Sequence, residues 1–118
     1  MFALSSATRV FLAAGVTDMR KSFNGLYCLA RHQLDRDPQS GHLFVFCNRQ
    51  RNRIKILFWD GSGLWVCAKR LEKGRFSWPS PGQGRAAIST QDLTLLLDGI
   101  DLQQTDKKRW YRRSSGAA

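Results

Sequence analysis

Apolar residues change their period along the chain, and each change marks an element. Residues 9–14, Arg-Val-Phe-Leu-Ala-Ala, form a short apolar run closed by Gly15, which reads as a strand. Thr17 and Asp18 follow, and either can cap a helix, so a main helix is expected to begin there. Met19, Phe23, Leu26, Tyr27, Ala30 and Leu34 then recur at three- and four-residue steps and make one apolar face, while Arg20, Lys21, Asn24 and Arg31 lie elsewhere. Asp37-Pro38-Gln39-Ser40-Gly41 ends the helix, because proline disfavours helix at the residue before it and glycine supplies turn geometry.

The middle of the chain switches to strand-sized runs at residues 42–47, 54–59, 64–69 and, shorter, 76–78, which predict an antiparallel meander. Asp60-Gly61-Ser62-Gly63 has the residues of a tight hairpin, and Gly74 suits a left-handed turn. Ile54, Ile56 and Phe58 share one strand face and Lys55, Leu57 and Trp59 the other, so both faces are partly apolar. One face is expected on the main helix; the second must meet the remaining chain, a partner subunit or nucleic acid. Residues 79–84 read as a linker, and residues 89–99 as a second helix with Ser89 and Asp92 at capping-box spacing. The fold expected is α+β, a single domain with a twisted antiparallel β-meander packed on one main helix and a short C-terminal helix. It should span residues 9–105, between a flexible start (1–8) and a basic, partly disordered tail (106–118).

Charge changes this reading from a generic domain to one with a polyanionic partner. Nineteen Lys and Arg against nine Asp and Glu leave a formal charge of +10 on 118 residues, a self-repulsion that a polyanion would relieve. An anionic membrane surface and an acidic protein also fit. No apolar run approaches the roughly 18 to 20 residues that span a bilayer, and the first residues lack the cationic and apolar regions of a signal peptide. A cytoplasmic protein without membrane contact is expected. Cys28, Cys47 and Cys67 suit neither a disulfide framework nor a zinc site and are expected as reduced core residues.

The densest candidate site is Arg49-Gln-Arg-Asn-Arg-Ile-Lys55, with cations at alternate positions. In an extended segment Arg49, Arg51, Arg53 and Lys55 would point to one side at a spacing of roughly 6 to 7 Å, comparable to successive phosphates. Lys69, Arg70, Lys73 and Arg75 surround the next turn, and Lys107, Lys108, Arg109 and Trp110 form a basic, aromatic tail. These residues are the expected nucleic-acid contacts; the plain structural alternative is that arginines on hairpin loops only solubilise. Trp59, Trp65, Phe76 and Trp78 interleave with the cations as stacking platforms would, although strand tryptophans more often belong to a core.

Catalysis has less support. Asp18, Asp60, Glu72 and Asp92 are scattered, and each has a structural role as cap, turn former or ion-pair partner. A two-metal nuclease needs several acids to converge, which Asp18, Asp60 and Glu72 would have to do. His32 and His42 have no ligand-spaced companions, and Gly82-Gln83-Gly84 lacks the lysine and preceding strand of a phosphate loop. No catalytic residue, metal or cofactor is expected.

Several longer strings are recognisable together. Gly15-Val-Thr-Asp-Met-Arg-Lys21 with Phe23 and Gly25-Leu26, then Gly41-His-Leu-Phe-Val-Phe46, Arg53-Ile-Lys-Ile-Leu57 with Trp59-Asp-Gly61, Lys69-Arg-Leu-Glu-Lys-Gly-Arg-Phe76 with Trp78-Pro79, and Leu97-Asp-Gly-Ile-Asp-Leu102 resemble the TnpB, or Orf2-like, accessory proteins of IS66-type bacterial insertion sequences. The resemblance runs from about Arg9 to Tyr111; it departs from the family at Ser22, where glycine is usual, and Asn24, where aspartate is usual. It implies a role in transposition beside a larger transposase that carries the acidic catalytic triad. The expected partners are element-end DNA, that transposase and the other accessory protein of the element. DNA binding through the basic hairpin is the leading expectation. The rivals are an adaptor docking through the second sheet face, a small metal-dependent nuclease using Asp18 and Asp60, and an RNA binder.

Overall fold

The computed structural model describes residues 7–81 and 86–99. Along the chain these form β1 (Val10–Leu12), α1 (Phe23–Cys28) running on into a π-helical segment (Leu29–Gln33), β2 (Leu43–Cys47), β3 (Arg53–Trp59), β4 (Leu64–Arg70), β5 (Ala86–Ile88) and α2 (Thr90–Leu97). The architecture is α+β, as expected: one mixed sheet of order β4-β3-β2-β1-β5 with helices on its faces. The unbroken apolar run of β2 takes the central position, where all five residues are buried.

The β2-β3-β4 part is the expected antiparallel meander. β1 differs: it lies parallel to β2, with α1 as the crossover, because a parallel neighbour requires a long connection that a helix supplies. β5 is an added antiparallel edge strand beside β1. Residues 76–78, expected as a strand, join no ladder. They run across the sheet instead, with Phe76 and Trp78 fully buried and the Trp78 indole donating to the Ala13 carbonyl at 2.9 Å.

Strand alternation sorts the core into two clusters. Val10, Leu12, Val45, Ile54, Ile56 and Phe58 face Phe76, Trp78 and the α2 residues Leu93 and Leu96. Phe11, Phe44, Phe46 and Leu57 face Leu26, Ala30 and Leu34. Over β1, β2 and β3 the second sheet face is thus covered by the chain itself, whereas β4 stays largely exposed.

α1 begins later than expected, at Phe23. Asp18 spends its carboxylate on the Arg20 amide and guanidinium, and Lys21 N donates to Asp18 O, so residues 18–21 form a tight turn ahead of the helix. The helix stops where Asp35 turns left-handed (φ 54°) and Pro38 follows. Ser89 caps α2, its hydroxyl accepting from Asp92 N as the capping-box spacing suggested. Of the cysteines, Cys47 is buried, Cys67 half-buried and Cys28 exposed, so Cys28 is no core residue; all three are free thiols. No helix among the described residues is long and apolar enough to cross a membrane. The expectation for residues 1–8 falls mostly, and that for the tail 106–118 wholly, outside the described residues.

Candidate nucleic-acid interface

The cations gather at one end of the sheet, where β2 turns into β3 and β4 leaves it. Cys47 and Ile54 are the last register partners of β2 and β3, so residues 48–52 form a hairpin loop rather than an extended strand, and Arg53 opens β3. Asn48 organises it. Its Oδ1 accepts from Asn52 N and Arg53 N, both at 3.0 Å, and its Nδ2 donates to Asn52 Oδ1 at 2.8 Å and Gln50 Oε1 at 3.2 Å. Arg51 closes the turn in a left-handed conformation (φ 59°).

The expected four-cation row is therefore not formed. Only Arg53 and Lys55 lie in β3, and period two cannot extend through a turn. Arg49 and Arg53 are exposed, and neither side chain has a hydrogen bond or ion pair among the described residues. Arg51 is half-buried: its Nη1 donates to the Trp78 carbonyl at 3.2 Å, and its own carbonyl accepts from Phe76 N at 2.7 Å. Lys55 turns its ammonium onto the carbonyls of Met19 and Lys21, at 2.7 and 2.8 Å, and so pins the turn before α1.

The second group divides too. Arg70 is the register partner of Arg53 and pairs with exposed Glu72 at 3.1 Å. Lys69 points to the opposite face and donates to the Leu97 carbonyl at 2.6 Å, where the end of α2 leaves carbonyls without helical partners. Lys73 and Arg75 are exposed on the following loop. That loop is stitched to the hairpin by Leu71 N donating to Asn52 O at 2.8 Å and by Phe76 N to Arg51 O. Lys107, Lys108, Arg109 and Trp110 lie outside the described residues.

Two shallow grooves meet at Arg53. One, of about 560 Å³, runs between the hairpin loop, with Arg49, Gln50 and Asn52, and residues 16–19. The other, of about 550 Å³, continues between Met19, Lys55 and Arg70. Arg49, Arg53 and Arg70 thus line one continuous, solvent-open track. The tryptophans are not part of it: Trp78 is core, Trp59 is half-buried, and Trp65, 51 % exposed, stacks on Phe58 with ring centroids 6.1 Å apart. Its indole donates to Asp60 Oδ2 at 2.7 Å; the Ser62 amide, then this indole and the Gly63 amide, hold the Asp60 carboxyl down at about 2. Asp18 is bound to Arg20 and Glu72 to Arg70, so each of the three acids has a local partner. Among the described residues, no three His, Cys, Asp or Glu side chains stand together as a metal site would require.

The chain matches the family "IS66 Orf2 like protein" over residues 8–107. It belongs to that family. Two relatives come from Sinorhizobium fredii (strain NBRC 101917 / NGR234). The uncharacterized protein y4hO is 44 % identical over 93 residues, 79 % of this chain and 81 % of that protein. The uncharacterized protein y4jC is 33 % identical over 108 residues, 92 % of each. No solved structure matches the chain. An IS66 Orf2-like protein is an accessory protein of an insertion sequence, so the chain has a transposition-accessory role. The family match encloses both grooves and the whole Asn48 loop; Lys108, Arg109 and Trp110 lie beyond its end.

Sequence reasoning missed Asn48 and the 16–19 segment. An asparagine directly after a buried strand, with a second asparagine four residues on, was the available signal for a side-chain-organised turn.

Proposed function

We propose that this IS66 Orf2-like protein binds the phosphate backbone of insertion-sequence end DNA along the Arg49–Arg53–Arg70 track and thereby assists a separate transposase, without cutting DNA itself. The reading rests on one observation: two arginines without side-chain partners and a third in an exposed ion pair line adjoining grooves at the end of the sheet. Lys73 and Arg75 extend the same end. Guanidinium groups suit phosphate because their planar donors match its oxygens bidentately. No helix enters a groove of the duplex in this arrangement, and backbone contacts position a protein without specifying sequence, so preference among duplexes is weak.

The test is binding of the full chain to terminal-repeat DNA and to a scrambled duplex over a salt series. Five released counterions give a slope of log affinity against log salt of about −4 to −5. An Arg49→Ala/Arg53→Ala/Arg70→Ala variant lowers affinity and flattens the slope by about 3. A salt-insensitive complex, or equal binding by the triple variant, rejects the site. Preferential competition by single-stranded RNA replaces the duplex with RNA as the partner.

A further inference from the structure

Among the described residues β4 is an edge strand of the sheet. Asp60 N donates to Gly63 O, and Leu71 N to Asn52 O. With the register Phe58 to Trp65 and Ile54 to Lys69, antiparallel alternation turns the amides and carbonyls of Trp65, Cys67 and Lys69 toward β3. Those of Leu64, Val66, Ala68 and Arg70 point outward, and among the described residues no strand lies against them. The strand pairs continuously with β3 over all seven residues, without bulge or proline. Natural proteins usually guard such an edge, and here Lys69 and Arg70 guard only its end.

We propose that β4 pairs with β4 of a second copy of this chain, antiparallel about a two-fold axis at Cys67, joining the two sheets into one. Of the two-fold registers that let the outward groups meet, three pair most of them. Centring on Val66 or on Ala68 pairs three of the four outward residues; centring on Cys67 pairs all four, Leu64 with the partner's Arg70 and Val66 with the partner's Ala68.

Charge disfavours the Ala68-centred register, which brings the two Arg70 residues closest, and suits the Cys67-centred one. It sets Lys69 across from the partner's Trp65 and brings Arg70 to the end of the partner's strand that adjoins Asp60. Asp60 holds its carboxylate at the Trp65 indole, 2.7 Å away, so each cationic strand end meets an aromatic ring and an acid rather than another cation. A protein of charge +10 opposes its own association; this register keeps the arginine tracks at opposite ends of the joined strands, about 20 Å apart along the strand direction from Arg70 to the partner's Arg70. The half-exposed Trp65, with Val66 and Cys67, is covered at the centre.

The axis also places Cys67 directly opposite its own copy in a non-hydrogen-bonded pair, with Cα atoms about 4.5 Å apart, within disulfide reach. The full-length chain should sediment as a dimer. Copper-phenanthroline oxidation should yield a covalent dimer in the wild type and in Cys28→Ser, but not in Cys67→Ser. Ala68→Pro removes an outward N–H that the β3 ladder does not use and should weaken association at least about tenfold, while Ala68→Val, which keeps the N–H, should not. A chain that is monomeric at every concentration overturns the proposal, whether the edge is covered by residues 100–118 or by a different protein. So does a dimer that Ala68→Pro leaves intact and that Cys67 does not link. The cross-linking arm uses the unaltered strand and stands even if Ala68→Pro fails to fold.

Discussion

Arg51 binds the Trp78 carbonyl, 27 residues further along the chain, with its guanidinium Nη1 at 3.2 Å. Its backbone is meanwhile held left-handed at φ 59°. One residue therefore closes the β2-β3 hairpin and ties down the segment that covers one face of the sheet. Arg51→Ala loses the hydrogen bond and keeps the backbone strain, and should destabilise the fold by about 1–2 kcal/mol. Arg51→Gly loses the same bond but relieves the strain, and should unfold at a higher urea midpoint than the alanine variant. Equal midpoints for the two would show that the backbone conformation carries no strain.

Asn48 offers a way to separate loop shape from loop charge. Asn48→Ala strips four hydrogen bonds from the hairpin without touching a cation. It should lower stability by about 2–3 kcal/mol and weaken DNA binding while leaving the salt slope unaltered. Asn48→Asp keeps the acceptor for the Asn52 and Arg53 amides and should fall between. The check is urea unfolding together with a salt series on each variant.

Lys69 and Arg53 should part company in the same assay. Lys69 is engaged at the end of α2, so Lys69→Gln should cost about 0.5–1 kcal/mol of stability and leave the salt slope unchanged. Arg53→Ala should reduce that slope by about 1 with little change in the urea midpoint.

Acid should act on the turns first. Asp60 is held at about 2 by the Ser62 amide, the Trp65 indole and the Gly63 amide, and Asp18 at about 2 by its hydrogen bonds from Arg20, against 3.8 for a free aspartate. A carboxyl depressed on folding stabilises the native state above its unfolded value, and that contribution disappears as pH falls through the folded one. Both contributions should therefore be present above pH 4 and lost between about pH 4 and 2. Asp60→Asn should flatten the fall of the urea midpoint across that window. The Trp65 emission, taken as the difference between wild type and Trp65→Phe, should change over the same range.

Strands β2, β3 and β4 were legible because alternating or continuous apolar runs ended at glycine, asparagine or aspartate, a local code. The first helix was legible in its face and blurred in its start, since Asp18 can cap a helix or, as it does here, fold an isolated turn with Arg20. β5 could not be read: Ala86–Ile88 has no pattern of its own and is a strand only because β1 lies beside it. Phe76 and Trp78 looked like a strand by alternation, and that alternation is real, but it faces the core across the sheet instead of along a ladder. The site was half legible. The concentration of cations at the two turns was visible, whereas the diversion of Arg51, Lys55 and Lys69 onto backbone carbonyls depended on contacts 28 to 36 residues away, or 27 for Arg51. No local pattern encodes contacts of that range.

The Asn48 network has a kinetic meaning as well as a structural one. A hairpin loop whose amides are already satisfied does not have to find its shape when a polyanion arrives. Ordering a free loop would cost roughly 1–2 kcal/mol of conformational entropy per residue, and this loop has met that requirement on folding. If the chain binds DNA as proposed, encounter is then limited by diffusion and long-range attraction, so the association rate, rather than the lifetime of the complex, is the quantity that added salt should change most.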